Sequence, residues 1–85
     1  MELEGKPEIE YPCPWTYRII CTDEDALRAA VVVIVGGAAH TLVHVQTSAS
    51  GRYQTLQLDL VVRDEAQRLA IFEALARHPA VRFMV

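Results

Sequence analysis

Thr41-Leu-Val-His-Val-Gln-Thr47, Ser48-Ala-Ser-Gly51 and Arg52-Tyr-Gln-Thr-Leu-Gln-Leu-Asp-Leu-Val-Val62 read as a strand, a polar turn and a second strand. In the second strand Leu56, Leu58, Leu60 and Val62 alternate with Thr55, Gln57, Asp59 and Val61, the period of two expected of a half-buried strand. Ser48, Ser50 and Gly51 are turn formers, and Gly51 can take positive φ without a Cβ clash, so the strands should pair antiparallel. This register predicts a core of Leu56, Leu58 and Leu60 with Ile19, Phe72, Leu75 and Phe83, and directs Thr55, Gln57 and Asp59 outward.

Upstream of the hairpin, Thr22-Asp-Glu-Asp25 supplies an N-cap oxygen and first-turn acids, which favour a helix start. The helix then meets Val31-Val-Val-Ile-Val35, a β-branched run that costs up to about 0.7 kcal/mol per residue relative to alanine. The acidic cap, and the crossover needed between a first strand and the hairpin, favour a helix to Val35 that stops at Gly36-Gly37. After Arg28 that helix keeps almost no polar face, so Val32 and Val33 should lie on an apolar outer surface. Trp15-Thr-Tyr-Arg-Ile-Ile-Cys-Thr22 precedes it as a strand, with Trp15, Tyr17, Ile19 and Cys21 on the more apolar side. Residues 1–10 hold four Glu, a Gly and a Pro without periodicity and are expected to form an acidic tail ahead of a single domain over residues 11–85.

Downstream, Asp64-Glu-Ala-Gln67 resembles a capping box, and Leu69, Phe72, Leu75 and Ala76 recur at helical spacing. That helix must end near His78, ahead of Pro79, and Val81-Arg-Phe-Met-Val85 is expected as a fourth strand. The order βαββαβ is that of a ferredoxin-like α+β sandwich. Its antiparallel sheet would run 4-1-3-2, with both helices on one face.

Composition bounds the function. At 85 residues, 52% apolar and 22% charged, the chain is an ordinary globular domain with one modest core. Its net charge of -3 sits in the first ten residues; after Tyr11 seven Arg meet seven Asp/Glu. A neutral domain offers no basic footprint for nucleic acid or an anionic membrane. The start is acidic and lacks an apolar h-region, which suggests the cytoplasm. The longest apolar run, residues 29–39, is too short to span a bilayer. Cys13 and Cys21 would stand ~26 Å apart along one strand, far beyond disulfide reach, so they are expected as free thiols.

No catalytic constellation is legible, and neither a metal nor a cofactor is expected. Cys21-Thr-Asp-Glu24 has one thiol where a soft-metal carrier of this fold needs two. His40 and His44 would lie ~13 Å apart on a strand, too far to share an ion, and read as polar residues beginning an edge strand. His78 is placed to cap a helix C-terminus. Ser50-Gly-Arg-Tyr-Gln-Thr55 shares only a glycine and one aromatic with an RNA-reading third strand.

Tyr11-Pro-Cys-Pro-Trp-Thr-Tyr-Arg-Ile-Ile20, Ser48-Ala-Ser-Gly-Arg-Tyr-Gln-Thr55 and Ala80-Val-Arg-Phe-Met-Val85 resemble the signatures of the YbeD family of small bacterial proteins. The resemblance implies a βαββαβ fold similar to the ACT regulatory domains of amino-acid metabolism, and no established activity. Gly36-Gly-Ala-Ala39 replaces a more polar helix end, and Thr22–Asp25 lacks the glycine through which an ACT loop approaches an amino acid. Two function classes follow. The first is a non-catalytic ACT-like regulatory or protein-interaction module, self-associating or bound to another protein through Val32 and Val33 or the open sheet face. The second is a sensor that binds a small-molecule effector near Ser48, Ser50, Gly51 and Tyr53.

Overall fold

A computed structural model describes residues 8–85. Its elements are β1 (Cys13–Cys21), α1 (Glu24–Val35), β2 (His40–Thr47), β3 (Gln54–Val62), α2 (Glu65–Arg77) and β4 (Phe83–Met84). The sheet is antiparallel throughout in the order β2-β3-β1-β4, the expected 4-1-3-2 read from the other side. The first seven positions of the expected acidic tail lie outside the described residues, and Glu8, Ile9 and Glu10 are exposed without regular structure. The Tyr11–Pro12 peptide is cis.

Alternation decides the faces. Tyr17, Ile19 and Cys21 of β1 and Leu56, Leu58, Leu60 and Val62 of β3 are buried together with Leu27, Val31 and Val35 of α1 and Ile71 and Leu75 of α2. One cluster joining one sheet face to both helices makes a two-layer sandwich. The other face carries Thr16, Arg18, Gln57 and Asp59. β2 pairs with β3 from His40 to Thr47, with one irregularity between His44 and Gln46.

The valine run is helical. Burial of Leu27, Val31 and Val35 at about 1.5–3 kcal/mol each outweighs a propensity cost of at most about 0.7 kcal/mol per residue. Asp23 caps the start by accepting from Ala26 N–H at 3.1 Å. Gly36, at φ 63°, ends the helix with its N–H on the Val32 carbonyl. Arg28 pairs with Glu24 at 2.8 Å and donates to the Leu42 carbonyl at 3.1 Å, which ties α1 to β2.

α2 starts where Asp64 accepts from Gln67 N–H at 2.8 Å. Gln67 returns the bond to Arg63 N–H, one residue ahead of the usual capping-box donor. His78 is the C-cap residue, with its N–H on the Leu75 carbonyl.

Four expectations need correction. Phe72 is 45% exposed, because α2 turns Ile71 and Leu75 to the sheet. Phe83 is 56% exposed, because its pairing with Ile20 puts it on the outer face and gives the inner position to Met84. The last strand spans two residues in place of five: Val81 N–H is taken by the His78 carbonyl, leaving β4 to begin at Phe83. Arg52 and Tyr53 belong to the hairpin turn, because Ser48 holds both backbone groups of Tyr53.

Candidate functional site

The turn from Ser48 to Tyr53 is closed by its own bonds. Ser48 N–H donates to the Tyr53 carbonyl at 2.8 Å, and Gly51 N–H to the Ser48 carbonyl at 2.9 Å. Ser48 Oγ accepts from Tyr53 N–H at 3.0 Å and Ser50 Oγ from Arg52 N–H at 3.2 Å. Gly51 holds φ 79°. The structure thus brings Ser48, Ser50, Gly51 and Tyr53 together, with both hydroxyls engaged in shaping the loop. What the loop presents outward is aromatic and cationic. The Tyr53 ring lies 6.1 Å from that of Phe83, and the Arg52 guanidinium lies 5.3 Å from the Tyr53 centroid.

Val32 and Val33 stand side by side on the outer surface of α1, 60% and 81% exposed. Both lie away from the hairpin turn.

The third feature was not anticipated. Trp15 and Tyr17 on β1, Leu69, Phe72 and Arg68 on α2, and Met84 on β4 line an open groove of about 300 Å³. Arg68 is its polar corner. Its guanidinium sits 4.6 Å from the centre of the Trp15 indole, and its Nε–H donates to Tyr11 Oη at 2.9 Å. That phenol holds the Arg68 pKa above its ordinary value. Tyr17 Oη donates to the Arg68 backbone carbonyl at 2.7 Å, and burial pushes the Tyr17 phenol upward against the opposing pull of the Arg68 charge. The one sequence signal for the groove was a surplus: α2 carries Leu69 and Phe72 beside Ile71 and Leu75, more apolar surface than one core-facing stripe needs.

The remaining candidates are held locally. His40 Nδ1 lies 2.9 Å from the Ala38 carbonyl, and His44 Nε2 lies 2.8 Å from Thr47 Oγ1. His78 Nδ1 accepts from Ala80 N–H at 3.0 Å. Cys13 and Cys21 are free thiols on β1; burial, and then the Glu24 charge, push the Cys21 thiol upward.

The family described as "Protein of unknown function (DUF493)" matches residues 6–85. The chain belongs to the DUF493 family. This is the YbeD-like group to which its motifs point. The DUF493 chain is similar to the uncharacterised protein Cj0253 of Campylobacter jejuni, 32% identical over 74 residues that cover 87% of this chain and 85% of that one. An uncharacterised Helicobacter pylori protein is 28% identical over 72 residues, covering 85% of this chain and 84% of its own. Among solved structures, a solution structure of HP0495 from H. pylori matches with a TM-score of 0.81 at 27% identity, over 94% of this chain and 88% of that one. A second solution structure of HP0495 gives 0.66 at 26% identity, over 96% and 95%.

Proposed function

We propose that this DUF493 protein is a non-catalytic protein-interaction module, ACT-like in being regulatory, and that it works in the cytoplasm as a homodimer. The observation that carries the reading is the adjacent pair Val32 and Val33, turned to water on a helix whose opposite side already fills the core. Apolar side chains grouped on a helix surface are what an association face needs, and a two-fold dimer is the commonest closed way to cover one. No described helix is long and apolar enough to cross a membrane, so this face is not explained by a bilayer span. Sedimentation velocity at tens of micromolar tests it. A dimer that Val33→Glu dissociates supports the reading, and a 9.5 kDa monomer of the unaltered chain overturns it.

A second reading, a sensor of amino acids or related metabolites at the hairpin turn, is favoured by the cluster of exposed Arg52 and Phe83 around half-buried Tyr53. A thermal-shift screen separates the two, because a ligand at 100 times its Kd adds about 2.7 kcal/mol to stability.

A further inference from the structure

The outer side of the helix layer is apolar where a surface helix is expected to be polar. Four of the five exposed residues of α1 and five of the eight of α2 are alanine, valine, leucine or phenylalanine, so the patch extends beyond Val32 and Val33 to both helices. The helices run antiparallel, with the last turn of α1 beside the first turns of α2. A groove between them is lined by Ile34, Val35, Ala66, Ala70 and Ala74. Residues three and four apart share a helix face, which puts Val33 with Ala30 and Ile34 at one rim of this groove. By the same rule exposed Glu73 and Arg77 stand with Ala70 and Ala74 at the other rim.

We propose that two copies pack helix layer against helix layer about a two-fold axis running along this groove, so that α1 of each copy lies on α2 of the other. This packing rests on the homodimer reading above and adds α2 to its interface. An axis parallel to the helices leaves position along them unchanged, so like ends meet. Val33 of each copy then enters the groove of the other over Ala66 and Ala70, whose short side chains leave room for a branched one. Toward the opposite end Glu73 of each copy meets Arg77 of the other, the reciprocity that a two-fold contact imposes.

A two-fold axis across the helices fits poorly. It lays α1 on α1 and α2 on α2 with their ends exchanged, which sets Asp25 against the valine end of α1 and Glu73 against Leu69. Only the lengthwise axis matches apolar with apolar and acid with base, and that self-complementarity makes a second copy the occupant. Helices of 12 and 13 residues are about 18–20 Å long and pack about 10 Å apart, so each layer offers a patch roughly 20 Å square. Specific interfaces need about 500 Å² from each partner, which places this one at the small end and association in the micromolar range.

Sedimentation velocity at tens of micromolar, on the whole protein and its variants, tests the packing. Ala70→Glu alters an exposed position of α2 that a contact made by α1 alone would not touch, and it should dissociate the dimer. Glu73→Arg and Arg77→Glu should each weaken the dimer about tenfold, and the two together should return it to within about threefold of the unaltered chain. Thermal denaturation of each variant separates a lost contact from a lost fold. A dimer that Ala70→Glu leaves intact, or a double variant as weak as the single ones, overturns this packing, and Val33→Glu then still decides the homodimer reading. A monomer of the unaltered chain overturns both.

Discussion

Tyr17 Oη donates to the Arg68 carbonyl at 2.7 Å, while the Arg68 guanidinium reaches back over Trp15 and donates from Nε–H to the Tyr11 hydroxyl at 2.9 Å. Strand β1 and helix α2 are therefore clasped in both directions, by backbone and by side chain. Tyr17→Phe keeps the ring in the core and removes one hydrogen bond, so it should cost about 1 kcal/mol. In a domain of this size that lowers Tm by roughly 4–8 °C, readable by thermal denaturation.

Leu58 has no exposed surface and Gln57, its neighbour on β3, faces outward to donate to Asp59 at 3.0 Å. Leu58→Ala should cost ~2–5 kcal/mol and Gln57→Ala under about 0.5 kcal/mol. Equal denaturation midpoints for the two variants would contradict the register of the central strand.

The alternation that makes Leu58 a core residue was legible because a strand's period of two leaves no choice of face once one side is leucine. The same clarity was lacking on α2. Leu69, Ile71, Phe72 and Leu75 form two overlapping apolar stripes, and only the position of the sheet decides that Ile71 and Leu75 enter the core. Periodicity picked Phe72 for the core, and that ring turns out to line the groove. Phe83 was misread for a related reason: in so short a strand, pattern cannot set the parity, whereas pairing with Ile20 does. The valine run of α1 was readable because the cap at Asp23 and the stop at Gly36 outweighed propensity.

Gly51 sits at φ 79° in a turn with no neighbouring atom within 4 Å of where a Cβ would stand. Any cost of substitution is then conformational and not steric crowding by the rest of the fold. Gly51→Val should destabilise by more than ~1 kcal/mol, since a β-branched residue tolerates that region poorly. Chemical denaturation checks it, and unchanged stability would mean that the turn relaxes to negative φ.

Asp59 accepts from the Thr16 hydroxyl and then from the Gln57 amide, and these bonds hold its carboxyl below its ordinary value. A carboxyl depressed in the folded state contributes stability that is present above its unfolded pKa and lost as pH falls through its folded pKa. Thr16→Val removes the larger cause. The Asp59 titration midpoint, followed by carboxyl NMR, should move up, and the part of the acid-side stability loss that this group causes should shrink. An unmoved midpoint would mean that the hydroxyl bond does not form in solution.

Association at α1 and association at a sheet edge make opposite demands on variants. Val32 and Val33 are on the outer side of α1, whereas His44 is on β2, whose far side has no partner strand among the described residues. A charge at Val33 places an ion in a helix-mediated interface without touching the core, so Val33→Glu should dissociate such a dimer while leaving the Tm of the monomer within the scatter of surface substitutions. A sheet-mediated dimer would ignore that change. It would respond instead to His44→Pro: Thr41 and Val43 turn their backbone groups to Asp59 and Gln57 of β3, so by alternation the His44 N–H lies on the open side of β2, where proline removes an edge donor. Sedimentation velocity on both variants decides between the routes. Dissociation by Val33→Glu alone identifies the helix face. Dissociation by His44→Pro alone assigns the dimer to β2, and the exposed valines would then need a different protein to cover them.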